Sequence, residues 1–181
     1  FVSNISENAL TAISLAAPIQ SIITAIAIGI GIGINSLLAR TLGEKNEEKV
    51  KKVVINGILL TFINWIIIAI VSALGMKSFF RIFTKNKILI SLGSSYLYII
   101  SILSVGTLFQ ILFEKILEAY GKTKQSMIVQ IVGSVINLIL DPILIYGMFG
   151  LKPLGIAGAG IATVIGQIIG MLIGLYYVVV L

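Results

Sequence analysis

Gln130, Ser134, Asn137 and Asp141 stand four, three and four residues apart, a spacing that gathers them on one face of a helix with 3.6 residues per turn. Asp141 is the carboxylate in an otherwise uncharged run from Gln125 to Leu151. Keeping an acid ionised in lipid is costly, so an intramembrane aspartate reads as part of an ion or substrate path. Asn137 and Asp141 both offer hard oxygen ligands suited to sodium, and the amide can equally hold the acid's proton. Pro142 removes a backbone donor and clashes with the carbonyl of Leu138, so a bend at the acid is expected, with that carbonyl freed as a further ligand.

On the next helix, Thr163 lies eight residues beyond Gly155, and Asp141 lies six before Gly147. At ~1.5 Å rise the two depths are about 12 Å and 9 Å from the same side, which lets Thr163 face Asp141. Gln130, Ser134, Thr163 and Gln167 are the candidates to line a cavity beside the pair. For Gln130 and Ser134 an interhelical hydrogen bond is an equal alternative.

Other chemistry is scarce. With no cysteine and no histidine, disulfides and the usual zinc and iron sites are excluded. No catalytic residue is assigned. Intramembrane proteases need paired aspartates, a serine with a base, or a metal, and only Asp141 reads as an intramembrane acid. Gly121-Lys122-Thr123 has the end of a phosphate loop, but Ile116 stands where its opening glycine belongs. Gly29-Ile30-Gly31-Ile32-Gly33 starts like a dinucleotide fingerprint, yet no strand precedes it. Uphill work would therefore draw on an ion gradient, with no cofactor, or on another subunit.

The elements that must position these groups are membrane helices. The chain of 181 residues is 58% apolar with mean hydropathy +1.12, more apolar surface than a soluble domain of this size can hide. Charges divide it into quiet runs, each beyond the ~20 residues that a helix needs to cross a bilayer. Five spans follow, at about 9–39, 53–76, 88–116, 125–147 and 155–181. The stretch from Ser6 to about Ala17 reads as outer loop and helix start, with Ser6 an N-cap and Pro18 a helix-start or kink residue. Alternating ten-residue strands, which a barrel needs, are missing.

Lys and Arg favour one side of the membrane over the other, eight to five. That places 41–52 and 118–124 in the cytoplasm and Phe1 outside. Cations split between two faces do not make a nucleic-acid groove; the expected partner is the bilayer. Gly29 and Gly33 on the first span, and Gly158, Ala162, Gly166, Gly170 and Gly174 on the last, fall on every fourth position, the device that lets helices approach closely in lipid.

Taken in order, several stretches resemble one family. They are Leu15-Ala16-Ala17-Pro18 before the glycine helix, Leu38 to Gly43 before a charged loop, Tyr96-Leu97-Tyr98-Ile99, Ala119 to Lys124, Asn137 to Pro142, and Gly155 to Thr163. The resemblance is to the N-terminal half of multidrug and toxic compound extrusion (MATE) transporters and covers nearly the whole chain. It implies helices two to six of a twelve-helix protein, with the first helix and the C-terminal lobe lying beyond this sequence. It also implies antiport by alternating access, in which a proton or sodium ion enters and an organic, often cationic, compound leaves. Asn137 and Asp141 match the family's cation- or proton-binding pair in this lobe, and Thr163 a nearby polar position. The implied setting is a prokaryotic cell membrane, multi-pass, with a small organic substrate and the C-terminal lobe as partners. Alternatives are a related flippase of lipid-linked oligosaccharides and a passive channel or scaffold subunit.

Overall fold

A computed structural model of the chain describes residues 6–181, so Phe1 lies outside what is described. Among the described residues six α-helices make up the bundle: α1 (Glu7–Gly43), α2 (Glu47–Phe83), α3 (Lys87–Ile102), α4 (Val105–Ala119), α5 (Thr123–Tyr146) and α6 (Ile156–Val179). A 3-10 turn, Met148–Gly150, lies between α5 and α6. Four helices, α1, α2, α5 and α6, are each long and apolar enough to cross a membrane, and α3 with α4 form a fifth, bent crossing. Large aliphatic side chains such as Leu59, Ile67, Val71 and Leu138 are exposed on the outside of the bundle, the surface expected of a protein solvated by lipid.

Helix α1 already begins at Glu7, with the Ser6 hydroxyl accepting from the Ala9 amide at 3.1 Å. Of the outer loop and helix start expected over Ser6 to about Ala17, the structure has the helix start, capped by Ser6 as expected, and helix in place of the loop. The reason is packing: Ala9, Ala12 and Ala16 recur at helical spacing and bury in one core with Phe80, Leu97 and Ile156. Pro18 sits inside this continuous helix. The rest of the buried stripe runs through Ile23, Ala27, Gly31, Ile34 and Leu38. That register turns Gly29 and Gly33 the other way, and no atom beyond the adjoining residues and backbone of α1 itself lies within 4 Å of a Cβ built on either. The close approach on α1 belongs to Gly31, whose Cβ would meet the Lys115 side chain at 2.8 Å.

The span expected at about 88–116 breaks at Leu103 and Ser104, and its two halves are bent by 42°. Serines can draw backbone bonds to themselves, and here the Ser104 hydroxyl donates to the Ser101 carbonyl at 2.7 Å. The carbonyl of Ile102, left over at the end of α3, accepts from the Trp65 indole at 2.9 Å. Past the break, Gly106 lets α4 lie against the backbone of α6, where a Cβ would come within 3.0 Å of the Ile168 nitrogen.

The α5–α6 hairpin carries the site. Gly147 ends α5 in the left-handed conformation (φ 73°), and a Cβ there would lie 2.5 Å from the Leu151 oxygen, so this reversal requires glycine. The returning chain serves the last carbonyls of α5: Leu154 and Gly155 donate to Leu144 and Ile145 at 3.0 and 3.1 Å. The small-residue stripe on α6 then packs in two directions. Gly158 and Gly166 abut α5 backbone at Leu144 and Gly133, while Gly170 and Gly174 abut Gln110 and Phe113 of α4.

Candidate functional site

The two halves of the expected site meet across that hairpin. The Asn137 amide nitrogen lies 3.4 Å from Asp141 Oδ1 and 3.3 Å from Thr163 Oγ1, donating to both. Thr163 in turn donates to the Ala159 carbonyl of its own helix at 2.9 Å. Both amide bonds are at the long end of the useful range. One carboxylate, one carboxamide and one hydroxyl thus converge from two helices, a donor set of hard oxygens once the amide turns its oxygen inward.

A cavity of about 250 Å³ opens beside them. Gln130, Ser134, Asn137, Thr163 and Gln167 all lie on its wall, so α5 and α6 present to one space the residues that their spacing placed on one face. Gln130 and Ser134 form its exposed side, whereas Asn137, Thr163 and Gln167 are half-buried. Asp141 is not on the wall; it meets the cavity through Asn137. Pro142 lies within α5, which continues through it as one helix to Tyr146. Since proline has no N–H, the Leu138 carbonyl is still deprived of its usual partner.

The cavity also has a wall that sequence reasoning missed. Thr107, Gln110 and Glu114 of α4 and Thr24 of α1 close its far side. Thr107 donates to the Gln167 side-chain oxygen, and Gln110 Nε2 donates to Glu114 Oε1 at 3.0 Å. Glu114 is only 8% exposed, so Asp141 is not the bundle's one intramembrane acid. The signal was present: positions 107, 110 and 114 repeat the three-and-four spacing that marked the polar face of α5. It was hidden because Lys115 and Glu118 follow and made this segment look like the edge of a loop. In the structure Lys115 is itself helical, its ammonium 2.7 Å from Glu118 Oε2. Gln110 is both packed beneath Gly170 and bonded to an acid.

A family model described as MatE matches residues 1–143. The chain belongs to the MatE family. Among curated relatives, the "FAD transporter" of Shewanella oneidensis is 32% identical over 99% of this chain and 40% of its own length. The "Probable multidrug resistance protein YoeA" of Bacillus subtilis is 31% identical over 94% of the chain and 37% of its own length. A solved structure described as the inward-facing conformation of a multidrug resistance MATE family transporter superposes with a TM-score of 0.92 at 27% identity, over 97% of this chain and 39% of that one. The chain therefore spans about 40% of the length of these relatives. Its apolar helices and MatE membership make it part of a multi-pass membrane protein, with bacterial relatives.

Proposed function

We propose that this chain is the ion-coupled N-terminal lobe of a secondary antiporter that exports organic, often cationic, compounds in exchange for protons or sodium ions. The observation that carries the reading is the position of Asn137, which bridges Asp141 to Thr163 and lies on the wall of a polar cavity inside a MatE-family bundle.

The chemistry follows from those contacts. With Asp141 ionised, Asn137 spends its amide protons on the carboxylate and on Thr163. A proton arriving on Oδ1 removes the charge that attracts the amide, and a sodium ion instead calls for the amide oxygen. Either event changes the pair of side-chain hydrogen bonds through which Asn137 links Asp141 to Thr163 of α6. Each ligand thus biases how α5 sits on α6, which is the differential contact that alternating access needs. The lobe supplies this step, and a C-terminal lobe of the same polypeptide would complete the substrate path.

A second reading, export of a flavin dinucleotide, takes its support from the name of the Shewanella oneidensis relative. Proteoliposomes containing the full-length protein separate the readings. Ethidium and FAD are loaded inside, and an inward proton or sodium gradient is imposed. Gradient-driven loss of ethidium supports the proposal; release of FAD alone supports the second reading. Leakage of either compound independent of the gradient overturns antiport in favour of a channel.

A further inference from the structure

Glu114 needs an explanation that its contacts do not provide. It lies in α4 between Phe113 and Lys115, is over nine-tenths buried, and faces the 250 Å³ cavity. It is the only charged residue on that wall among the described residues. One carboxylate oxygen accepts from Gln110; the other takes no hydrogen bond from the described residues. The neighbouring cation, Lys115, is bonded to Glu118 and makes no ion pair with Glu114, and its stem packs on Gly31. As a purely structural partner for Gln110, a glutamine would serve with far less loss of hydration. A buried acid kept without a paired base is costly, and in a membrane helix that cost marks a binding role.

Its place in the bundle separates it from the coupling pair. Asp141 is eighteen residues from the start of α5, and Glu114 five from the end of α4, at the same turn. At ~1.5 Å per residue the two acids are about 20 Å apart along the bundle, one toward each end of the polar face. Asp141 reaches the cavity only through Asn137, whereas Glu114 stands on its wall beside Gln110. A bulky solute in this cavity meets Glu114 directly.

We propose that Glu114, oriented by Gln110, is the charge-selecting residue of the substrate cavity: it takes the cationic nitrogen of an organic ammonium or aromatic cation and repels polyphosphate anions. The proposal rests on the export reading above and assigns it a residue distinct from the ion-coupling pair. Gln110 fixes one oxygen and leaves the other for the ligand. The amide and hydroxyl groups of Gln130, Ser134, Thr107 and Gln167 supply neutral polar contacts around an aromatic body and carry no positive charge to hold phosphate.

The test is equilibrium binding to the purified full-length transporter with three probes: ethidium, a permanent cation; riboflavin, neutral; and FAD, an anion. Wild-type protein is expected to bind ethidium well above FAD. Glu114→Gln should weaken ethidium binding by roughly tenfold or more, as loss of a buried charge partner does, and leave riboflavin binding within about twofold. Glu114→Asp should retain a measurable part of the ethidium affinity. If Glu114→Gln does not fold, Ser134→Lys keeps the Glu114–Gln110 bond while placing a cation in the same cavity, and it must also depress ethidium binding. Unchanged ethidium affinity in folded Glu114→Gln or Ser134→Lys overturns the assignment while gradient-driven export by the wild type still stands. A wild type that prefers FAD overturns the assignment and the cationic-substrate reading together, and absence of gradient-driven export overturns only the transport reading.

Discussion

Gly166 of α6 sits so close to Gly133 of α5 that a Cβ on Gly166 would lie 2.5 Å from the Gly133 carbonyl oxygen. The reciprocal Cβ would lie 3.0 Å from the oxygen of Gly166. The obstacle is backbone in both directions, so it cannot swing aside as a side chain would. Gly166→Ala should push the helices apart and cost about 1–3 kcal/mol, read as a lowered midpoint of thermal unfolding of the full-length protein in detergent. Gly29→Ala is the control: nothing beyond the adjoining residues and backbone of its own helix lies within 4 Å of its Cβ, and helix propensity alone favours alanine by up to about 1 kcal/mol. Equal destabilisation by the two changes would show that the α5–α6 contact is not what the glycine protects.

Trp65 makes a second, independently testable contact, because its indole satisfies the Ile102 carbonyl where α3 gives way to α4. In lipid no water replaces a lost donor. Trp65→Phe should cost about 1 kcal/mol and speed amide hydrogen exchange over 99–106, with little change in α6. Exchange that stays at the wild-type rate would mean that the bend is held by the Ser101–Ser104 turn alone.

The hydrophobic runs made the helical membrane class legible, since nothing else accounts for so much apolar sequence. The polar face of α5 was equally legible, because Gln130, Ser134, Asn137 and Asp141 share one period within an uncharged segment. Depth counting set Thr163 against Asp141; in the structure Thr163 bonds one turn earlier, to Asn137, which links it to the acid. Glu114 was lost for a physical reason: a charge near a helix end looks like the start of a loop until tertiary packing shows it covered. Gly29 and Gly33 misled in the opposite direction. Spacing says which residues share a face but not which face is covered, and on α1 the larger stripe through Ile23, Ile34 and Leu38 decided the register. The break at Ser104 lacks proline or any strong punctuation, and the Ile102 carbonyl beside it is met by Trp65 from another helix.

Among the described residues Asp141 takes its one side-chain hydrogen bond from the neutral amide of Asn137, so a neutral side chain of the same shape should preserve the fold. Asp141→Asn is expected to leave the full-length protein at wild-type levels in membranes and within about 1 kcal/mol in stability, while abolishing gradient-driven ethidium export. Ethidium binding should survive, because the cavity wall at Glu114 is untouched. Export at the wild-type rate would remove Asp141 from the coupling step.

Variants of Asn137 and Thr163 test which of the two proposed ions couples transport. A sodium ion needs oxygen ligands from both residues beside the carboxylate, whereas a proton needs only Asp141 as its acceptor. Asn137→Ala and Thr163→Ala should therefore each raise the sodium concentration for half-maximal export by roughly tenfold, the effect of losing one charge-assisted contact. Thr163→Ser, which keeps Oγ1, should restore the response. The variants should leave proton-driven export closer to wild type, and the double variant should show less than the sum of the single losses, since Asn137 Nδ2 and Thr163 Oγ1 already share one hydrogen bond at 3.3 Å. The decisive measurement is export rate against sodium concentration at fixed pH, repeated against pH without sodium. If both alanine variants shift the pH curve and leave the sodium curve unmoved, the trio holds a proton relay and no sodium site.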